Sequence, residues 1–390
     1  MISTHARAAA PSAAVRAVHF MPAMECAAPA SAAEAGLGQT LERPGAPRRR
    51  RRHLTTLVTA CVLGLLAGGM AHAAPPASNA STGAQARIQA GIQAGPVDTD
   101  TPNWRATHGL LLGLARAGTR LVAVGTGGNV LLSDDEGLTW RPAKVPTDEL
   151  LTSVIFPSSN EGWAVGQDEL VLHSIDGGET WTQQHIAPTA DQTMFSIISL
   201  GGAHLLATGA YNLTLESWDG STWKDGKVPD TDDDYHLNCA VARGGDVLVT
   251  GESGHAFIRY AGAWTPMKLP YDGSQFACLV GPDGGFWSFG LRGSAFKSEA
   301  GSTQWTRVET GTPYSIFGAT NLADGRMALV GANGLVLLLD PATGKTSIVP
   351  PVTDKALSAV VEGQGGKLIT VGEDGVHLID PSAVQAGADQ

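Results

Sequence analysis

Two short segments of this chain hold a carboxylate in a fixed frame of small polar residues. Ser133-Asp-Asp135-Glu-Gly137-Leu-Thr139-Trp140 and Ser174-Ile-Asp176-Gly-Gly178-Glu-Thr180-Trp181 share the spacing S-x-D-x-G-x-T-W at every fixed position. Such a carboxylate can serve as the acid or base of a hydrolase, provided a second carboxylate stands across the scissile bond. It can also accept hydrogen bonds from the N–H groups of its own turn, with Gly supplying a positive φ and Trp packing between neighbouring sheets. The second reading gives each fixed residue a mechanical task. Ser133, Asp135, Gly137, Thr139 and Trp140, and Ser174, Asp176, Gly178, Thr180 and Trp181, are therefore read as structural. Later copies decay. Ser217-Trp-Asp219-Gly-Ser-Thr222-Trp223 is one residue short, and the stretch Ser298 to Trp305 has lost its Asp.

The turns must be held by sheets, and the sequence states which. Seven apolar runs end in Gly: at Gly125, Gly166, Gly209, Gly251, Gly290, Gly331 and Gly372. Successive steps are 41, 43, 42, 39, 41 and 41 residues. In the second unit Leu151 to Phe156, Gly162 to Gly166, Leu170 to His173 and Trp181 to Gln184 read as four short strands separated by turn residues. A period of this length built from strands predicts an all-β, seven-bladed propeller of four-stranded antiparallel blades over 101–382. The last unit supplies only three strands, so residues 101–107, with Trp104 in the outer-strand position, are expected to close the last blade from the N-terminal side.

Residues 1–73 fall outside the ring. Five arginines from Arg48 to Arg52, an apolar run of 17 residues from Leu54 to Met70 and Ala71-His72-Ala73 predict a signal peptide. An uncleaved anchor is the alternative. The Ala- and Pro-rich stretch before the arginines is better explained by an upstream start codon than by a domain. Residues 74–100 read as a flexible tether and 383–390 as a tail. The expected product is exported, to a periplasm or to a thylakoid lumen in a phototroph. Cys239 and Cys278 each lie 12 residues before a marker glycine. Equivalent positions on adjacent blades do not face each other, so two buried thiols are expected.

The formal charge is −11, and removing the eight arginines and three acids of residues 1–73 leaves 18 basic and 34 acidic residues, a net of −16. Nucleic acid and anionic membrane are poor partners for such a surface, and no nucleic-acid partner is expected. Loops from second to third strand, and from one blade to the next, emerge on one face. That face collects Asp148, Glu149, Asp168, Glu169, Asp191, Asp230, Asp232, Asp233, Asp234, Glu252, Asp272, Asp354, Glu373 and Asp374, opposed by Arg292 and Lys355. The opposite face receives Arg116, Arg120, Arg243, Arg326 and Lys367.

Asn160-Glu-Gly-Trp-Ala-Val-Gly166 leading into Leu172-His-Ser-Ile-Asp-Gly-Gly-Glu-Thr-Trp181 resembles the repeat of the photosystem II stability and assembly factor family of BNR-like propellers. The resemblance spans about Thr101 to Asp380. It implies an exported, non-catalytic ring that binds a membrane protein, or its exported segment, during assembly. The family's photosynthetic members are associated with a basic patch, whereas this chain's best-defined face is acidic. The expected docking site is Asp230, Asp232, Asp233 and Asp234 with Tyr211 and Tyr235, on a monomer. An Asp-box glycoside hydrolase, sialidase-like or β-glucan-cleaving, is the alternative, with acids such as Asp168, Asp234 and Glu373 as its carboxylates. It lacks the expected arginine cluster and an evident Tyr–Glu pair. Asp340-Pro-Ala-Thr-Gly344-Lys345 resembles a quinoprotein repeat turn but reads as a plain β-turn. His204, His236, His255 and His377 show no ligand spacing. No catalytic residue, cofactor or metal is expected.

Overall fold

A computed structural model describes residues 107–187, 192–228, 234–299 and 301–383. They form seven antiparallel sheets, the blades of a propeller, numbered here in chain order. Six blades have four strands in sequential order. Blade 7 shows three: Leu357–Glu362, Leu368–Gly372 and Gly375–Ile379. Residues 101–106, expected to complete it, lie outside the described residues, as do the leader and the tether. The ring closes through side chains. Leu111, Leu121, Ala123, Leu131 and Trp140 of blade 1 share one cluster with Ile369 and Val371 of blade 7. Among the described residues no helix is long and apolar enough to cross a membrane.

The second strands explain the repeat. Gly162–Gly166, Phe286–Gly290, Met327–Gly331 and Leu368–Gly372 are buried at every residue. Each lies inside its own sheet and between neighbouring blades, so it reads as a continuous apolar run rather than an alternation. The marker glycine that ends each run is extended, with φ −173° at Gly125, so conformational freedom is not its purpose. Space is. A Cβ on Gly125 would sit 2.2 Å from the Leu110 carbonyl oxygen, and one on Gly166 or Gly331 would sit 1.9 Å from that of Leu150 or Ser315. Those carbonyls accept hydrogen bonds from the next residue's N–H, at 3.1 Å from Thr126 and 2.9 Å from Gln167 and Ala332. Any side chain would force that contact open, which is why the glycine recurs once per blade.

The first strands line a central cavity of about 240 Å³ to which all seven blades contribute. Cys239 and Cys278 lie in its wall, and here the expectation of two thiols is wrong: they form a disulfide, with Cα atoms 5.9 Å apart. Counting to the marker glycine misjudged their register. Cys239 pairs with Thr250, one residue before Gly251, whereas Cys278 pairs with Ser288, two before Gly290. The two hairpins differ in length, turning after Arg243 into Asp246 in blade 4 and after Val280 into Phe286 in blade 5. A slip of one residue turns a side chain to the other side of its sheet. The two sulfurs therefore meet between adjacent blades.

Candidate functional site

In sheets whose strands follow one another, the hairpins joining first to second and third to fourth strands leave at one end. The remaining loops leave at the other. This places the Asp-box turns on one face and the acidic loops on the opposite face.

On the box face the carboxylates are consumed by their own turns. Asp135 Oδ1 accepts from Ser133 Oγ at 2.8 Å and from Thr139 N–H at 2.9 Å, and Oδ2 accepts from Thr139 Oγ1 at 2.5 Å. Asp176 repeats these distances with Ser174 and Thr180. Gly137 and Gly178 take φ 85° and 87°, and their carbonyls accept from the indoles of Trp140 and Trp181 at 3.0 and 2.9 Å. Burial pushes both aspartates up, but the hydrogen bonds from Thr and Ser together outweigh it and hold them below the usual carboxylate range. The decayed copy shows the converse. With its Asp gone, Ser298 Oγ and Trp305 Nε1 are buried without a hydrogen-bond partner. The turn at Asp340 is also closed on itself, accepting from Ala342 N–H at 2.9 Å and Thr343 Oγ1 at 2.7 Å.

The box-face arginines are paired. Arg116 donates to both oxygens of Glu136, at 3.0 and 2.7 Å, and to the Glu362 carbonyl at 2.7 Å, which joins blade 1 to blade 7. Arg120 meets Asp134 at 2.6 Å and Glu179 at 3.0 Å, and Arg141 reaches the same two acids. Arg243 pairs with Asp246 and Arg326 with Asp324.

On the acidic face the sequence-nominated tyrosines come together at the junction of blades 3 and 4. Tyr211 occupies the turn Ala210–Asn212 at φ 56°. Tyr235 lies two residues before the first strand of blade 4, Leu237–Arg243, and its carbonyl accepts from Asn212 N–H at 2.7 Å. Tyr211 meets His236 edge-on with centroids 5.1 Å apart, and Tyr235 stacks on His255 at 3.6 Å. Phe195 borders His236 at 5.6 Å. Asp234 is exposed beside them, and Asp230, Asp232 and Asp233 lie outside the described residues. Asp168, Asp234 and Glu373 belong to blade 2, the loop into blade 4, and blade 7, and Glu373 accepts from Ala356 N–H at 3.3 Å. Sequence reading missed the histidines at the blade 3–4 junction, because His236 and His255 are 19 residues apart and only the fold brings them to the two tyrosines. It also missed a second convergence, of Glu169, His185 and Asp225.

The fold and its turns define a seven-bladed BNR-like propeller. Within that class the chain resembles the photosystem II stability and assembly factors. The family model described as photosynthesis system II assembly factor YCF48 matches residues 133–231. The photosystem II assembly lipoprotein Ycf48 of Synechococcus sp. (strain CC9902) is 28% identical over 317 residues, covering 77% of this chain and 87% of the relative. A solved structure of YCF48 bound to D1 peptide superposes with a TM-score of 0.59 at 18% identity, covering 70% of this chain and 93% of that one. Virginiamycin B lyase from Staphylococcus aureus superposes with a TM-score of 0.61 at 14% identity, covering 70% and 96%. At such identities the superpositions show a shared fold alone.

Proposed function

We propose that this chain is an exported, non-catalytic assembly scaffold that docks a segment of a membrane-protein partner on its acidic face. The observation that carries the reading is the junction of blades 3 and 4, where Tyr211 and Tyr235 converge on two histidines beside Asp234. Aromatic side chains held by their neighbours anchor a partner, and the run Asp230 to Asp234 steers a basic segment toward them. The assembly-factor relatives support a binding role, and so does the D1 peptide on one YCF48. The names of relatives, a lipoprotein in one case and chloroplastic in another, fit an exported product. On the opposite face the arginines are occupied by internal ion pairs, which leaves them poorly suited to an acidic partner.

The test is affinity capture from detergent-solubilised membranes, followed by kinetics on the captured partner. Replacing Asp232, Asp233 and Asp234 with Asn is expected to slow association and flatten its salt dependence, since exposed charges are screened beyond about 8 Å. Tyr211→Ala with Tyr235→Ala is expected to speed dissociation by about tenfold or more. Binding that ignores both sets of substitutions and added salt would move the docking surface elsewhere, first to the side of Arg116, Arg120, Arg243 and Arg326.

A further inference from the structure

Blade 2 carries a carboxylate at a buried turn position where blade 3 has Asn212 and four other blades have glycine. In the turn between second and third strands, blades 1, 4, 5 and 6 place Gly128, Gly254, Gly293 and Gly334 at positive φ. Blade 2 places Glu169 there, at φ 56°. Its side chain is only 6% exposed, and its Oε2 has no hydrogen-bond partner. Facing it at 3.6 Å is Nε2 of His185, the last residue of the outer strand Thr182–His185 and likewise buried without a hydrogen-bond partner. Asp225, on the outer strand Lys224–Lys227 of blade 3, completes the group. The three candidate ligand atoms all lie within 4.8 Å of one another.

Two buried polar atoms that face each other as a long ion pair, with no hydrogen bond to either, are costly. At 3.6 Å they are too far apart for a good hydrogen bond. They are close to the separation of two ligands on one tetrahedral ion, about 3.4 Å when each bond is about 2.0–2.1 Å. The electrostatics agree. Burial first, then the charge of Asp225, pushes the Glu169 carboxyl above the usual glutamate range, while His185 pulls the other way. A cation removes both penalties. One imidazole and two carboxylates suit a divalent first-row transition ion, whereas calcium and magnesium favour all-oxygen shells. Asp225 is exposed, so the fourth position opens toward water.

We infer that Glu169, His185 and Asp225 form a zinc-class divalent cation site that clamps the outer strand of blade 2 to that of blade 3. The group lies on the acidic face but uses none of the residues of the docking junction between blades 3 and 4, so the two readings are tested separately. It places the metal at a seam between blades, where it acts on the rigidity of the ring.

The full chain, purified without a histidine tag and stripped with a chelator, is titrated with zinc chloride by equilibrium dialysis and calorimetry. Calcium chloride serves as the parallel probe. The expected result is one equivalent of zinc, a melting temperature that rises with zinc concentration, and no response to calcium. Glu169→Gln and His185→Gln are expected to weaken zinc binding by about tenfold or more and to remove the thermal response. His204→Gln, at a separate His–Glu pair with Glu216, keeps both. If the two buried substitutions fail to fold, Asp225→Asn at the exposed ligand gives the same reading. Absence of zinc binding, binding indifferent to these substitutions, or a preference for calcium would each overturn the site.

Discussion

The two faces of the ring handle charge in opposite ways. On the box face Arg120, Arg116 and Arg141 donate to Asp134, Glu136 and Glu179, and these hydrogen bonds, ahead of burial, draw all three carboxyls below their usual range. On the acidic face Glu149 is pushed up, by burial first and then by the charges of Asp168 and Asp148. Asp374 is an exception on that face: burial raises it, but His377 and Thr353 win and hold it down, and Asp272 and Asp354 pair with Lys268 and Lys355. The box face spends its charge on holding blades together. Around Glu149 the acidic face keeps charges that repel each other, an arrangement that a cationic partner would relieve.

The largest effect that would test this division is on the box face. Asp176→Ala removes the acceptor for Thr180 N–H and Thr180 Oγ1 and releases Ser174. The expected loss is about 1–3 kcal/mol of stability. Thermal unfolding measures it, and partner binding at low temperature should be unchanged. A variant that stayed stable while losing a measured activity would return Asp176 to the catalytic reading and erase the contrast between the faces.

The fold was legible because the repeat is enforced by a steric rule. A carbonyl occupies the place of a Cβ at each marker glycine, so the mark survives where other residues drift. The box turns were legible because each hydrogen bond in them is local, within about four residues. What was not legible depended on register and on the ring. The disulfide required knowing that two hairpins turn at different lengths. The Glu169, His185 and Asp225 group draws on three elements from two blades, so no spacing announces it. One clue was present: a glutamate stands where four other blades carry glycine.

A smaller effect separates the faces by pH. Arg141→Gln removes a partner of Asp134 and Glu179. These acids titrate lower in the fold than in the unfolded chain. Their stabilisation is therefore present above the ordinary carboxylate range and is lost as pH falls through the depressed folded values. Arg141 is 44% exposed, so the cost at neutral pH should be only about 0.5–1 kcal/mol. Denaturant midpoints should converge with those of the parent by about pH 2. A difference that persisted in acid would mean that Arg141 acts through packing, not through charge.

The smallest effect has the opposite sign and belongs to the acidic face. Glu149 titrates higher in the fold than in the unfolded chain, because burial and two neighbouring aspartates disfavour its charge. Above that raised value it weakens the fold, and below the ordinary glutamate value it does not. Glu149→Gln keeps the backbone carbonyl that accepts from Gly128 N–H at 2.9 Å. It should therefore stabilise the protein at neutral pH by a few tenths of a kcal/mol, roughly the scale of surface substitutions. The gain should vanish by about pH 4. Measured by chemical denaturation alongside partner association, the two readouts should move in opposite directions, with stability rising and association slowing. If Glu149→Gln destabilised the fold at neutral pH, its charge would be part of the framework, and the acidic face would hold itself together just as the box face does.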